Sequence, residues 1–559
     1  MSGLFFLSVP ESVPAVPRSG HAPRTHASYL LLRIRHPNGM SNKAHDHVHR
    51  LVRSMTRAEK RYFKLYTSRH VVGGKSNYQL LFDAIARMQE YDEEALLKKF
   101  AAEAFTKRFA ITKRRLYETI LHSLDAFHAE SSMDARLRRM LHQVELLHQR
   151  ALYDDARKML RSVRKLARKH DRHTILLDVL GWERRMLEQR GYAGTPEEEL
   201  DELLRESSTL RQELEELDQL WDRKSRIFLT LYRHGHARDK DQLKELKQLL
   251  RHPLLRDPAA LRTPRARFLY HHVHSAVAWA MEDLSTCHQH LQQNQHLLEE
   301  KAERFTDEPN LLFSVLSNRI YVATRLGLHE EARRLLKRFR LLPLQWRKAP
   351  DPDLELKVFA TGSSLEMALY ARSGRFEEGV VLEKALVKGL EQHGERLSPL
   401  RQSGLCYQMA YLQFGAGHLD RALKWSHRQL NLKGVDEGAE VHDFGRLLNL
   451  LIHLELDNRD LLTYLLRNAE RHYRERNDTP RFAAALIPFL RETMKARTAE
   501  EQHTALLAFR EALEPLRDDP LQRAVFDHLD PLAWVDSKLT GRSFAELVRE
   551  RAASLPRAA

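Results

Sequence analysis

Cysteine is almost missing from this chain of 559 residues: Cys287 and Cys406 stand far apart, which excludes a disulfide framework and fits a reducing cytoplasm. Glycine and proline, at 22 and 20 residues, are too thinly spread to interrupt long helices often. Runs of β-branched and aromatic residues with period two are missing as well, so no strand is expected. No apolar run approaches a membrane span. The first, Leu4 to Val9, lacks a preceding basic residue and is followed by Pro10, Pro14 and Pro17, which argues against both export and insertion. The nucleophile elbow of esterases, the paired histidines of a zinc-protease helix and the dinucleotide glycine fingerprint are absent too. No catalytic residue, cofactor or metal is therefore expected, and the chain reads as not an enzyme.

What is present is the composition of a helix former. Hydrophobic residues make up 42% and charged residues 30%, and apolar side chains recur at three-and-four spacing throughout. The first 39 residues depart from this, with five of the prolines and no helical period; they are expected to be a disordered extension, with Met40 an alternative start. The net charge of +15 is unevenly placed: residues 1–180 hold 33 Lys and Arg against 18 Asp and Glu, while 181–559 hold 58 of each. The asymmetry reads first as a well-solvated helical surface, with an anionic partner at the N-terminal third, nucleic acid included, as the functional alternative.

Internal similarity sets the architecture. A small residue, a spacer, a bulky residue, an acidic or polar pair and a second small residue recur: Ala151 to Ala156, Gly327 to Ala332, Gly374 to Gly379 and Gly417 to Ala422. Weaker copies end at Cys287 and Thr463. The end residues 287, 332, 379, 422 and 463 are separated by 45, 47, 43 and 41, and the 131 residues from 156 to 287 come close to three such steps. The first small residue permits a tight turn, the acidic pair suits the positive end of the next helix, and the last small residue lets two helices approach. Each unit is then an antiparallel helical hairpin, stable only when stacked on its neighbours. The segments Leu326 to Phe339 and Phe414 to Leu430 resemble the second half of tetratricopeptide repeats, although these units are about ten residues longer than that family's. The resemblance covers about residues 135–480. It implies an all-α, right-handed solenoid that holds a protein or peptide segment, followed by C-terminal helices and a capping tail over 481–559.

Residues 40–134 read as a separate basic helical region. Thr56 to Glu59 is a capping box for a helix to about Ser68, and helices are expected over Tyr78 to Tyr91, Asp92 to Phe105 and Thr112 to Phe127. The string Ala58-Glu59-Lys60-Arg61-Tyr62-Phe63-Lys64-Leu65 resembles the opening of an uncharacterised family of bacterial helical-repeat proteins, which implies a fold and no activity. Arg57, Lys60, Arg61 and Lys64 share one helical face. Lys107 and Arg108 precede an expected turn at Phe109-Ala110-Ile111, and Lys113, Arg114 and Arg115 then fall in the first turn of the following helix, opposing its dipole. These nine are the candidate contacts to an anionic partner, arranged somewhat like a helix-turn-helix but without a pattern for reading bases.

Two other signals are weak. Gly73-Gly74-Lys75-Ser76 echoes the end of a phosphate-binding loop, but Arg69 stands where glycine is needed, and a flexible linker accounts for it. Among the 31 histidines, His45 with His49 and His271 with His274 lie about one turn apart, while Cys287, His288 and His290 form a further group. No companion ligand motif completes a metal site, so surface histidines are expected. The sequence thus favours a non-catalytic protein-interaction scaffold, with a nucleic-acid-binding regulator as the alternative.

Overall fold

The computed structural model describes residues 46–68, 77–234, 240–345, 352–435, 440–476, 480–518 and 525–554. All regular elements among them are helices, and none is long and apolar enough to cross a membrane. The extension 1–39 and the string Gly73 to Ser76 lie outside the described residues. The chain divides into two compact units between Leu200 and Asp201.

The N-terminal unit contains α1 (His47–Ser54), α2 (Arg57–Ser68), α3 (Asn77–Ala86), α4 (Glu93–Lys99), α5 (Phe109–Phe127), α6 (Met133–Gln149), α7 (Tyr153–Lys169) and α8 (His173–Gln189). The capping box forms as read: Glu59 Oε2 accepts from the Thr56 amide at 2.6 Å and Thr56 Oγ1 from the Glu59 amide at 3.3 Å. Phe63 stacks on Phe82 at 4.3 Å in a core shared with Val52, Leu81, Ile85, Leu96, Leu116 and Ile120. Three elements differ from the sequence reading, the first being the helix expected over Asp92 to Phe105, which ends at Lys99 and leaves Phe105 buried in a separate 3-10 turn, Ala104–Arg108. The helix expected to reach Tyr91 stops at Ala86, because Tyr91 turns into the core and Asp92 opens α4 by accepting from the Ala95 amide at 3.0 Å. The turn expected at Phe109 is already α5, since starting there buries the Phe109 ring. Lys113, Arg114 and Arg115 consequently lie one turn inside α5, where the dipole no longer opposes them strongly.

The division falls in the first turn of α9 (Glu197–His234), which is followed by α10 (Lys240–Leu249), α11 (Pro264–Ala280), α12 (Leu284–Glu300), α13 (Pro309–Arg325), α14 (His329–Arg340), α15 (Leu342–Gln345) and α16 (Pro352–Arg372). Next come α17 (Phe376–Val380), α18 (Glu383–His393), α19 (Pro399–Gly415), α20 (Leu419–Leu430), α21 (Glu440–Glu455) and α22 (Arg459–Arg476). The chain closes with α23 (Arg481–Lys495), α24 (Ala499–Asp518), α25 (Val525–His528), α26 (Pro531–Thr540) and α27 (Phe544–Ser554). Successive helices pack in pairs, α11 with α12, α13 with α14, α19 with α20 and α21 with α22, and the pairs touch through α12 with α13 and α20 with α21. The proline-containing segment 253–264 forms two 3-10 turns and ends with Thr263 capping α11.

One backbone device joins these pairs. Ala151, Glu282, Gly327, Gly374, Gly417 and Asp457 all have left-handed φ, between 52° and 78°. After each, the next amide reaches the carbonyl five residues back, as in Leu328 to Ala323 and His418 to Gln413, both at 2.9 Å. The residue five positions beyond the left-handed one enters the core: Ala156, Cys287, Ala332 and Ala422 are fully enclosed. At Gly379 an added Cβ would stand 2.8 Å from Leu412 Cδ2 and 3.0 Å from Tyr370 Cβ, so any larger residue there would force its neighbours to shift. The sixth copy is shifted by one from its expected end. Counting five from Asp457 gives Leu462, which is buried, whereas Thr463 is exposed and donates to the Arg459 carbonyl at 3.0 Å. An unanticipated copy sits at Asp171, between α7 and α8, with the Arg172 amide 2.9 Å from the Ala167 carbonyl. The α8 helix ends in the same cap at Gly191, but the 38-residue α9 follows and the regular step toward 287 is lost there.

Candidate partner-binding cleft

Helices α13 and α19 are enclosed on nearly every side, with every residue from Phe313 to Ile320 and from Leu405 to Phe414 buried. The neighbours of α19 include the last three helices of the chain. Between α16 and α19 on one side and the segment 525–554 on the other lies a cavity of about 540 Å³. Ala368, Ala371 and Arg372 line it from α16; Tyr407, Gln408 and Tyr411 line it from α19, at spacings that place each set on one helical face. Leu529, Asp530, Val548 and Arg551 form the opposite wall.

The wall is fixed by side-chain to backbone bonds. Tyr407 Oη donates to the His528 carbonyl at 3.0 Å, and the Asp530 amide donates to Tyr411 Oη at 3.1 Å. Asp530 caps α26 by accepting from the Ala533 amide at 2.9 Å, and Pro531 supplies the first helical position. Arg551 bridges Asp530 at 2.6 Å and Asp536 at 2.5 Å. Burial pushes the Asp530 carboxyl above the usual carboxylate range, against the pull of Arg551, the Ala533 amide and Arg372. Burial likewise raises both tyrosines, so they stay protonated. Tyr411 Oη already accepts one bond, and its proton has no acceptor among the described residues. Thr324, Tyr407 and Ser554 spend their hydroxyl protons on backbone carbonyls, not on a base.

No family model and no curated protein matches the chain. Its chemistry has to be read from its own side chains. The cleft offers an apolar wall and one free hydroxyl donor, a combination suited to a peptide segment. None of its residues was a candidate in the sequence. The pair Tyr407 and Tyr411, four apart, and the cap-and-proline step Asp530-Pro531 are the local signals that mark it.

The nine basic candidates are dispersed. Arg57, Arg61, Lys107, Arg108 and Arg115 are exposed, Lys60 is half-buried, and none of these makes an ion pair among the described residues. Lys64 pairs with Asp83 at 2.6 Å and Arg114 with Glu118 at 3.0 Å. Lys113 is turned inward: its ammonium lies 3.0 Å from Asp46, 2.7 Å from Glu93 and 3.1 Å from Tyr91 Oη, tying α5 to the cap of α1 and the first turn of α4. Burial alone would lower its pKa, but these three partners win and hold it above the ordinary lysine value. Lys113 is a structural cation.

The histidines expected at the surface are partly enclosed instead, because α11 and α12 face each other. His271 Nδ1 and His290 Nδ1 share a hydrogen bond at 2.9 Å, His274 stacks on His290 at 4.8 Å, and His272 lies between Phe228 and Phe268. Burial pushes His271, His272 and His290 down to about 4. The shared bond aims two ring nitrogens at each other and away from any common point. Among the described residues, no group of three is placed to hold a metal. In the N-terminal pair, His45 lies outside the described residues and the His49 ring bonds the Met88 carbonyl at 3.1 Å.

Proposed function

We propose that this chain is a non-catalytic, cytoplasmic scaffold in which helix pairs of tetratricopeptide type, stacked as a right-handed solenoid of antiparallel hairpins, hold a segment of a partner protein. The cleft between α16, α19 and 525–554 is the observation that carries the reading. Its apolar lining would take one or two aliphatic side chains, and Tyr411 would donate to a backbone carbonyl of the segment. The two thiols suit a reducing compartment: both are buried, with burial pushing Cys406 up to about 11 and Cys287 higher still.

Filling the cleft tests the reading. Ala368→Trp projects a ring into the cavity from a half-buried position on its wall. A partner captured by the native chain should be lost from this variant while the helical dichroism is unchanged. Equal recovery of the same partners by both chains would remove the cleft from the account.

A further inference from the structure

Helix α7 carries seven lysines and arginines in seventeen residues, and its two carboxylates, Asp154 and Asp155, both sit in the first turn. Its apolar stripe of Ala156, Leu160, Val163 and Ala167 is buried, which turns Lys158, Arg161, Lys165, Arg168 and Lys169 outward. These follow one another at helical spacing over about 16 Å of axis. Three nearby carboxylates are engaged by other cations: Asp154 by Arg157 at 3.3 Å, Glu183 by Arg164 at 3.0 Å and Asp134 by Arg172 at 2.5 Å. Lys158, Arg161 and Lys165 make no ion pair among the described residues. Lys158, Arg161 and Lys165 carry like charges on one helical face, repel one another and have no side-chain hydrogen bond or ion pair among the described residues to offset that.

We propose that the outward face of α7, centred on Lys158, Arg161 and Lys165, is a docking surface for the phosphodiester backbone of a nucleic acid. Three classes of anionic partner are conceivable, and the face itself discriminates among them. A membrane-surface helix needs an apolar flank free to enter lipid, and here that flank is sealed in the core. Protein interface centres are depleted of lysine and built around aromatics, which the outward face lacks. A polyanion with regular charge spacing needs only what the face has: exposed cations in a row. With no Asn, Gln or aromatic residue beside them, these contacts position a strand without reading its sequence. The surface does not depend on the cleft of the C-terminal unit, and Ala368→Trp should leave it unaffected.

The test uses the full chain and fluorescence anisotropy with labelled duplex DNA, duplex RNA and a single strand, each of random sequence, over a salt series. The native chain should bind at least one of them with a steep salt dependence. The variant Lys158→Glu/Arg161→Glu/Lys165→Glu should lose at least about tenfold in affinity, and its slope of log affinity on log salt should fall by about 2.7 for duplex DNA or about 2.1 for a single strand. A control with equal charge change, Arg57→Glu/Arg61→Glu/Arg115→Glu, should keep most of the binding. Should the reversed variant lose helical dichroism, Lys158→Gln/Arg161→Gln/Lys165→Gln replaces it with the same expected direction. Equal losses in the stripe variant and the control would show general charge attraction and overturn the assignment. So would failure of the native chain to bind any of the three nucleic acids at low salt, or tighter binding to polyglutamate or phosphatidylserine vesicles than to all of them.

Discussion

Two glycines in the same backbone turn should respond differently to the same substitution. Gly374 and Gly417 both hold left-handed φ, at 65° and 78°, and both end a helix that the next one packs against. Alanine in that conformation costs about 1 to 2 kcal/mol from contact with its own backbone. At Gly417 nothing lies within 4 Å of an added Cβ, so Gly417→Ala should cost that amount and no more. At Gly374 the new Cβ would meet Ala545 O at 2.7 Å and Arg549 N at 2.8 Å, both backbone atoms of α27. Backbone cannot rotate out of the way, so an overpacking cost of about 1 to 3 kcal/mol adds to the first, giving about 2 to 5 kcal/mol. Because α27 carries Val548 and Arg551 to the cleft, Gly374→Ala should also loosen that wall. Urea unfolding followed by far-ultraviolet dichroism measures the first effect, and limited proteolysis of the C-terminal segment the second. Equal midpoints for the two variants would refute the docking of α27 on the turn at Gly374.

Other expectations follow from the same packing. Ala332 is fully enclosed, and Ala332→Leu should cost about 1 to 3 kcal/mol; an unchanged melting temperature would show the close approach there to be absent. Removing the capping box with Thr56→Ala should destabilise the N-terminal unit by about 1 kcal/mol, read as an earlier unfolding transition. The histidine cluster predicts acid sensitivity: unfolded imidazoles take protons near 6.5 whereas the folded ones resist to about 4, so stability is complete above pH 6.5 and declines as pH falls toward 4. His272 alone should account for about 2 kcal/mol of that loss at about pH 5, and the variant His272→Leu should lose less between pH 7 and pH 5 than the native chain does. Identical pH slopes for the two would contradict it.

The helical class and the tight turns were legible because both depend on neighbours in sequence. Gly327, Gly374 and Gly417 announce left-handed turns, and Thr56 with Glu59 announces a cap. Asp171 and Asp457 adopt the same turn without glycine, which hid one copy and shifted another by one residue. Tyr91 ended a helix early for a tertiary reason, the burial of its ring, that no local pattern carries. The cleft was invisible for the same cause on a larger scale: Tyr407 and Tyr411 meet His528 and Asp530 across 121 and 119 residues of chain. Charge was misleading in the opposite sense, since Lys113 looked like a surface contact until Asp46 and Glu93 closed around it.

The scaffold reading stands or falls on what touches the cleft in the cell. A photo-crosslinking residue placed at Ala368, on the cleft wall, and separately at Val381, which is 76% exposed and outside the cleft, allows the comparison. The account predicts that a defined segment of one partner protein is joined to position 368 and not to 381, and that the adduct at 368 declines when Tyr411→Phe removes the free hydroxyl. No adduct at 368, or the same adducts from both positions, would contradict it.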